Sequence, residues 1–307
     1  MITILGPQRR PTVDAVARPY GPGLATVTAG WRERESDEGE LDTVLGGGTV
    51  NLRLHARWLD VLESDPELAT AELNHRSVLE ELQDLYALQV GYAEQAVQAL
   101  RRSSSRPRTR NAVLTDGEQT LRLLDQQHLA RVAAARADFD AAWRPAERDA
   151  VLRHRAQVAR ALAGAPALVL AGGHVGVLLH VLRLFDVRPP EHVIAWSAGA
   201  MALTDRVVLF TDGRAETYAA GLGVLPAVVL LPHARRRLPV EDPARLGALA
   251  RRFAPARCVV LDDGVRVDGR TLAGARVIGA DGALADLGQV NAVRAIDGLT
   301  QPRSAGG

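Results

Sequence analysis

The sequence predicts an α/β fold: a mostly parallel central sheet flanked by helices, with a long helical insertion and a C-terminal β-hairpin. Three observations carry that expectation. Short apolar runs rich in β-branched residues, at residues 2–5, 24–28, 167–170, 193–196, 228–232 and 258–261, read as buried strands. They end at glycine, serine, histidine or aspartate, residues that open turns. Between the second and third runs the spacing turns helical for far longer than a usual α/β connection.

Taken in order, residues 1–50 supply the first strands, which end at Gly6-Pro7 and Ala29-Gly30. Residues 51–164 read as a helical insertion or subdomain. Leu79, Leu82, Leu85, Tyr86 and Val90 recur there at three- and four-residue steps. Ser103-Ser104-Ser105-Arg106-Pro107-Arg108 breaks that helix by composition. Thr115-Asp116-Gly117-Glu118 has the capping-box form and predicts the start of a second long helix through Leu121, Leu124, Leu129 and Val132. Pro145 interrupts, and helical spacing resumes through Val151, Leu152, Val158 and Leu162. The two long helices read as an antiparallel pair whose apolar stripes bury against each other, against the sheet, or across a homodimer.

Residues 165–299 form the rest of the α/β unit. A strand at 207–210 turns at Thr211-Asp212-Gly213. Residues 265–267 and 275–278, with Asp268-Gly269 and Asp281-Gly282 as turns, predict the terminal hairpin. The Pro-, Gly- and Ser-containing segment 300–307 reads as a disordered tail.

Composition narrows the function. Apolar residues make up 47% of 307 and charged residues 24%, the balance of a soluble chain able to bury a core. The net charge of +1 offers no field that would draw in nucleic acid or a membrane surface. All 37 basic residues are arginine, which reads as codon bias rather than chemistry. No apolar run approaches the ~20 residues of a membrane span. Met1-Ile2-Thr3-Ile4-Leu5-Gly6-Pro7 is too short an apolar opening for a signal peptide. The single Cys258 excludes an intrachain disulfide, so a cytoplasmic location is expected. No Walker loop, dinucleotide fingerprint or zinc spacing occurs, and no cofactor or metal is expected.

The chemistry concentrates at strand ends. In Ala195-Trp196-Ser197-Ala198-Gly199 a serine sits between small residues two before and two after it. A strand turning sharply into a helix needs small residues there and pushes the serine hydroxyl outward, the nucleophile-elbow pattern. The competing reading is a serine that caps the following helix. Upstream, Ala171-Gly172-Gly173-His174 follows a strand and opens a helix, which places backbone N–H groups where an oxyanion could be held. The amides of Gly173 and Ala198 are the candidates. His233 follows the strand at 228–232 as a candidate base, and Asp262 and Asp263 follow the strand at 258–261. In an open α/β sheet these ends share one crevice.

Trp196-Ser197-Ala198-Gly199-Ala200, Ala171-Gly172-Gly173-His174, Pro232-His233 and Asp263-Gly264 occur in the order and spacing of the peptidase family of dipeptidase E and cyanophycinase, which the chain resembles. That family consists of relatives of the class I glutamine amidotransferases with serine as nucleophile. The resemblance implies a flavodoxin-like core and hydrolysis of an amide bond in a small, in some members aspartyl, peptide. It implies Ser197 as nucleophile, His233 as base and Asp263 as the acid, with Asp262, Asp212 and Glu216 as alternative acids. His174, Trp196, Arg235 and Arg237 are the candidate substrate contacts. His174 stands where the family has a small polar or acidic residue, and Met201 where dipeptidase E has asparagine, so substrate choice stays open. Another amidase or acyl transferase on the same scaffold, or a silent binding or assembly protein, are the alternatives.

Overall fold

The computed structural model describes residues 1–8, 13–211 and 214–287. The expected tail and the Asp212 turn lie outside the described residues. The chain is a mixed α/β protein with a largely parallel six-stranded sheet and a long helical segment.

Strand β1 (Ile2–Leu5) is followed by helix α1 (Val13–Ala17), β2 (Ala25–Val27), α2 (Gly39–Val44) and β3 (Val50–Asn51). Four helices come next: α3 (Leu54–Ser64), α4 (Pro66–Arg102), α5 (Pro107–Trp143) and α6 (Asp149–Ala163). The chain then returns through β4 (Leu168–Leu170), α7 (Val175–Leu184), β5 (Val193–Trp196) and α8 (Ala198–Ala202). Strands β6 (Arg206–Thr211), β7 (Arg214–Ala220) and β8 (Val228–Pro232) lead to α9 (Ala234–Arg237) and α10 (Pro243–Phe253). The last strands are β9 (Arg257–Leu261), β10 (Arg266–Asp268), β11 (Arg276–Ile278) and β12 (Leu284–Asp286).

The large sheet runs β10-β1-β5-β4-β2-β3, parallel except for β10 against β1. Side-chain alternation divides its residues between two cores. Ile4, Leu168, Leu170, Val193 and Ala195 pack with α7 and the inner faces of α3 and α6. Leu5, Val169, Ile194 and Trp196 pack with Val13, Val16 and Leu41 on the other side. Both faces are therefore buried, as the continuous apolar strands require. A second sheet, β12-β11-β9-β8, carries its own cluster around Val229, Leu231, Cys258, Val260 and Phe253. Strands β6 and β7 form a two-stranded hairpin.

Two local expectations are corrected. Helix α5 begins at Pro107, eight residues before Thr115. Proline suits a first helical turn because its missing N–H would have no partner there. Thr115 lies inside the helix and its Oγ1 donates back to the Asn111 carbonyl at 3.0 Å, so the capping box is not used. The predicted pairing of 265–267 with 275–278 also does not form. β10 peels away to pair with β1, and the terminal hairpin joins β11 to β12 across the Asp281-Gly282 turn.

The helical pair α4–α5 shares a small apolar cluster of Tyr86, Val90, Val97 and Leu121 with its partly buried neighbours, and Leu68 and Val132 join the main core. A buried polar knot fastens it to the rest of the molecule. Arg252 on α10 donates Nε to Asp125 Oδ2 at 2.9 Å and Nη2 to Asp125 Oδ1 at 2.7 Å. Its Nη1 reaches Glu94 at 2.8 Å, and Nη2 also donates to Tyr86 Oη at 3.0 Å. Tyr86 donates to Asp125 and accepts from the Thr217 amide of β7 at 2.9 Å. Arg252 is 3% exposed and Asp125 is fully buried. Removing one partner strands a buried charge, which costs about 3–5 kcal/mol. Asp125→Ala is therefore expected to lower unfolding stability by about that amount in urea titration, whereas Asp138→Ala on the exposed face of the same helix is expected to change it little.

Candidate functional site

The parallel sheet places the ends of β1, β5, β4 and β2 on one edge, and a backbone seam adds the second sheet to it. Leu5 lies in register with Trp196 on one side and with Arg266 on the other. Gly6, next in the chain, donates its amide to the Val265 carbonyl at 2.8 Å. It presses so closely on Asp262 that a Cβ would sit 1.8 Å from the Asp262 carbonyl oxygen. β8 runs parallel to β9 with Pro232 opposite Leu261, and the His233 amide donates to the Leu261 carbonyl at 3.0 Å. Gly6, Ser197, Asp262, Asp263 and His233 thus share one rim.

Ser197 is held at φ 50° and ψ −122°, a combination that excludes relaxed β and α backbone. An N-cap serine has β-region dihedrals and accepts from an amide of the first turn. Ser197 does neither. The elbow is possible because its flanks lack bulk. A Cβ on Gly199 would lie 2.4 Å from the Leu170 carbonyl oxygen and 2.6 Å from that of Ala171. One on Gly172 would lie 3.1 Å from Ser197 Cβ and 3.5 Å from its Oγ. The glycine loop after β4 therefore backs directly on the serine.

Gly173 adopts φ 123°, open to glycine alone, and packs on Gly30, whose carbonyl accepts from the His174 amide at 2.8 Å. Ala198 is the first residue of α8, and its amide is one of those a helix leaves without an internal acceptor. These are the two amides read as the oxyanion site. His174 caps α7: its Nδ1 accepts from the Val177 amide at 3.2 Å, which puts the ring proton on Nε2. Burial and the charge of Arg32 hold its imidazole below the ordinary value.

His233 has left-handed dihedrals, φ 59° and ψ 35°, at the turn into α9. Burial, then Arg237, pushes its pKa below the ordinary 6.5, while Asp263 and Asp262 pull it up. Glu216 is not among the charges acting on it. Its ring makes no hydrogen bond among the described residues, to Ser197 or to either aspartate. Asp262 is engaged elsewhere: it accepts from the Arg235 amide at 3.0 Å and faces the Arg235 guanidinium at 3.5 Å. Asp263 is exposed and has no such partner.

Two other predicted residues turn their side chains elsewhere. Glu216 is buried on β7, where Gln83 of α4 donates to it at 3.4 Å. Trp196 is 7% exposed and packs in the core beside Leu5 and Ile194. Asp212 lies outside the described residues. Tyr218 gave no signal in the sequence, yet a Cβ on Gly176 would lie 2.3 Å from its hydroxyl and 3.0 Å from His174 Cε1. Its place depends on how β7 meets α7, which no local pattern encodes.

No described group of His, Cys, Asp and Glu could hold a metal ion, and no helix of the described chain is long and apolar enough to cross a membrane. No protein-family model matches the chain, and no curated protein matches it either.

The backbone contacts at Gly199 generate a direct expectation. Gly199→Ala forces a methyl into two carbonyl oxygens, so unfolding stability should fall by about 1–3 kcal/mol, the usual cost of overpacking. A urea midpoint equal to that of the parent chain would show that α8 sits farther from β4 than described.

Proposed function

We propose that the protein is a serine hydrolase of the dipeptidase E and cyanophycinase kind, built on a class I glutamine amidotransferase-like core, and that it cleaves an amide bond in a small peptide. The observation that carries this reading is the Ser197 backbone at φ 50° and ψ −122°, strain of the sort that collects at functional sites. Gly172 packed against it, Gly199 seated on the β4 carbonyls, and the rim shared with His233 support it further.

In this chemistry Ser197 Oγ attacks the substrate carbonyl carbon while His233 takes the hydroxyl proton. The carbonyl oxygen becomes an oxyanion that accepts from the Gly173 and Ala198 amides. The C–N bond then breaks, and His233 returns its proton to the departing amine. Water attacks the resulting ester as His233 removes its proton, which releases the carboxylic acid and restores Ser197. Asp263 stabilises the imidazolium that forms in each half. Hydrogen bonds of this type tighten when substrate closes the site.

One observation favours a second reading, a silent binding protein that retains the elbow: among the described residues no acid hydrogen-bonds the His233 ring. A fluorophosphonate probe distinguishes the two. Covalent labelling of the parent chain, abolished in Ser197→Ala and slowed by about three powers of ten or more in His233→Ala, is expected for the hydrolase. Folded protein that takes no label would establish the binding role instead.

The pH dependence follows from the charges on His233. Only the neutral imidazole can take the proton, and its pKa lies below 6.5, so the labelling rate should hold as pH falls through 6.5 and decline only beneath it. Asp263→Asn removes a charge that raises the pKa, so its acid limb should move to lower pH. Arg237→Gln removes a charge that lowers it, so the limb should move to higher pH. Shifts in the opposite directions would overturn His233 as the base.

A further inference from the structure

The outer face of α4 carries an apolar stripe that nothing in the described chain covers. Val78, Leu85, Leu88 and Tyr92 lie along it, each between 46% and 66% exposed. Their steps of seven, three and four residues, with Glu81 completing the register, are those of a coiled-coil seam. The inward face of the same helix is already occupied. Tyr86, Val90 and Val97 pack against α5, and Leu79 and Leu82 against the main core. The stripe is therefore a second apolar face and not the margin of the first.

At those fractions each of the four side chains exposes roughly 100 Å², and the flanking Gln89, Gln95, Ala96 and Ala99 are exposed as well. Two copies of the stripe laid together would bury about 1,000 Å², the lower bound of a specific interface. The segment from Val78 to Ala99 is about 30 Å long, three heptads of seam. Holes set at that spacing are filled by a helix with the same steps, and a second copy of α4 supplies one.

Charge decides the direction. A parallel pair would set Glu81 beside Glu81 and Asp84 beside Asp84, like charges at close range. An antiparallel pair with its two-fold axis between Leu85 and Leu88 removes both conflicts. Leu85 of each copy then meets Leu88 of the other. Tyr92 meets Glu81, to whose carboxylate its hydroxyl can donate. Asp84 comes opposite Gly91, and there Arg214 of β7 lies across the helix: a Cβ on Gly91 would stand 2.5 Å from its Nη1. Neither Arg214 nor Asp84 forms an ion pair among the described residues. The face thus complements itself in spacing and in charge, as a two-fold interface must.

We propose that α4 pairs antiparallel with α4 of a second copy, Leu85 and Leu88 at the centre and Asp84 of each chain facing Arg214 of the other. The helical insertion is then the dimerisation element of the protein. The pairing is independent of the chemistry proposed for Ser197, which sits on the α/β core.

Analytical ultracentrifugation of the full chain over a concentration series tests the pairing by mass, without reference to activity. The parent should approach twice the chain mass as concentration rises. The double variant Leu85→Glu, Leu88→Glu should stay at the mass of one chain. It should also keep the parental urea midpoint, because both side chains are exposed. Leu152→Glu on α6, a comparably exposed leucine, should dimerise like the parent. Asp84→Arg sets a like charge against Arg214 and should weaken the dimer about tenfold, and Arg214→Asp should do the same against Asp84. Asp84→Arg combined with Arg214→Asp should recover most of the lost affinity. These charge variants leave the apolar stripe intact, so they report on pairing even where the leucine variant does not fold. A parent that stays monomeric overturns the proposal, whether or not a different protein binds the stripe. A dimer that survives the double leucine change, or a combined charge variant no tighter than the single ones, overturns it equally.

Discussion

The fork of Arg252 on Asp125 is the buried polar contact that sets how the helical insertion is oriented on the core. Helices α4 and α5 are largely polar; beyond their small shared apolar cluster, Leu68 of α4 and Val132 of α5 enter the main core, contacts that impose no direction of their own. A buried ion pair is weak evidence for net stability, because desolvation offsets most of the attraction. Its consequence here is geometric. A bidentate pair tolerates one orientation, and Tyr86 extends that orientation to the neighbouring strand by accepting from the Thr217 amide. His128, stacked on Tyr86 at 4.1 Å, meets the next carbonyl, that of Tyr218, at 3.2 Å. Among the described residues β7 pairs only with β6, and side chains of the insertion cover its other edge. Tyr218 is held beside His174 by that cover.

The rim that carries Ser197 is built on a different principle, close approach of backbone to backbone. Gly6 against Asp262, Gly173 against Gly30 and Gly199 against the β4 carbonyls each leave no room for a Cβ. Each contact joins elements distant in sequence: β1 to β9, the β4 loop to the β2 loop, and α8 to β4. Such contacts are stiff because carbonyl oxygens cannot rotate aside as a long side chain can. A strained serine persists only where its surroundings over-determine it, and the Gly172 and Gly199 contacts do so from both flanks.

How much of this was legible in the sequence follows the range of each interaction. The parallel strands and the turn around Ser197 declare themselves in contiguous residues, because alternation and small flanking side chains are local requirements. The helical segment was legible through its three- and four-residue spacing. Thr115-Asp116-Gly117-Glu118 misled because a capping box is a local option that a proline eight residues earlier had already made unnecessary. The pairing of β10 with β1 was illegible for another reason: strand partners are chosen by which edge is free, and the short run at 266–268 carries no mark of that edge.

The electrostatics of the rim favour one half of the proposed chemistry and oppose the other. Arg237 beside His233 and Arg32 beside His174 add positive charge, which in the proposed reaction would stabilise an oxyanion developing at Gly173 and Ala198. The same charge penalises the imidazolium that must form on His233 at that moment. A carboxylate is needed to offset it, and Asp262 is already held by the Arg235 amide and guanidinium. Asp263 carries no such commitment, and of the two carboxylates it has the larger effect on His233. Its exposure means that solvent screens it until a substrate covers the rim. In the proposed reaction Asp263 would therefore become effective with substrate bound, when water is displaced and the attraction strengthens.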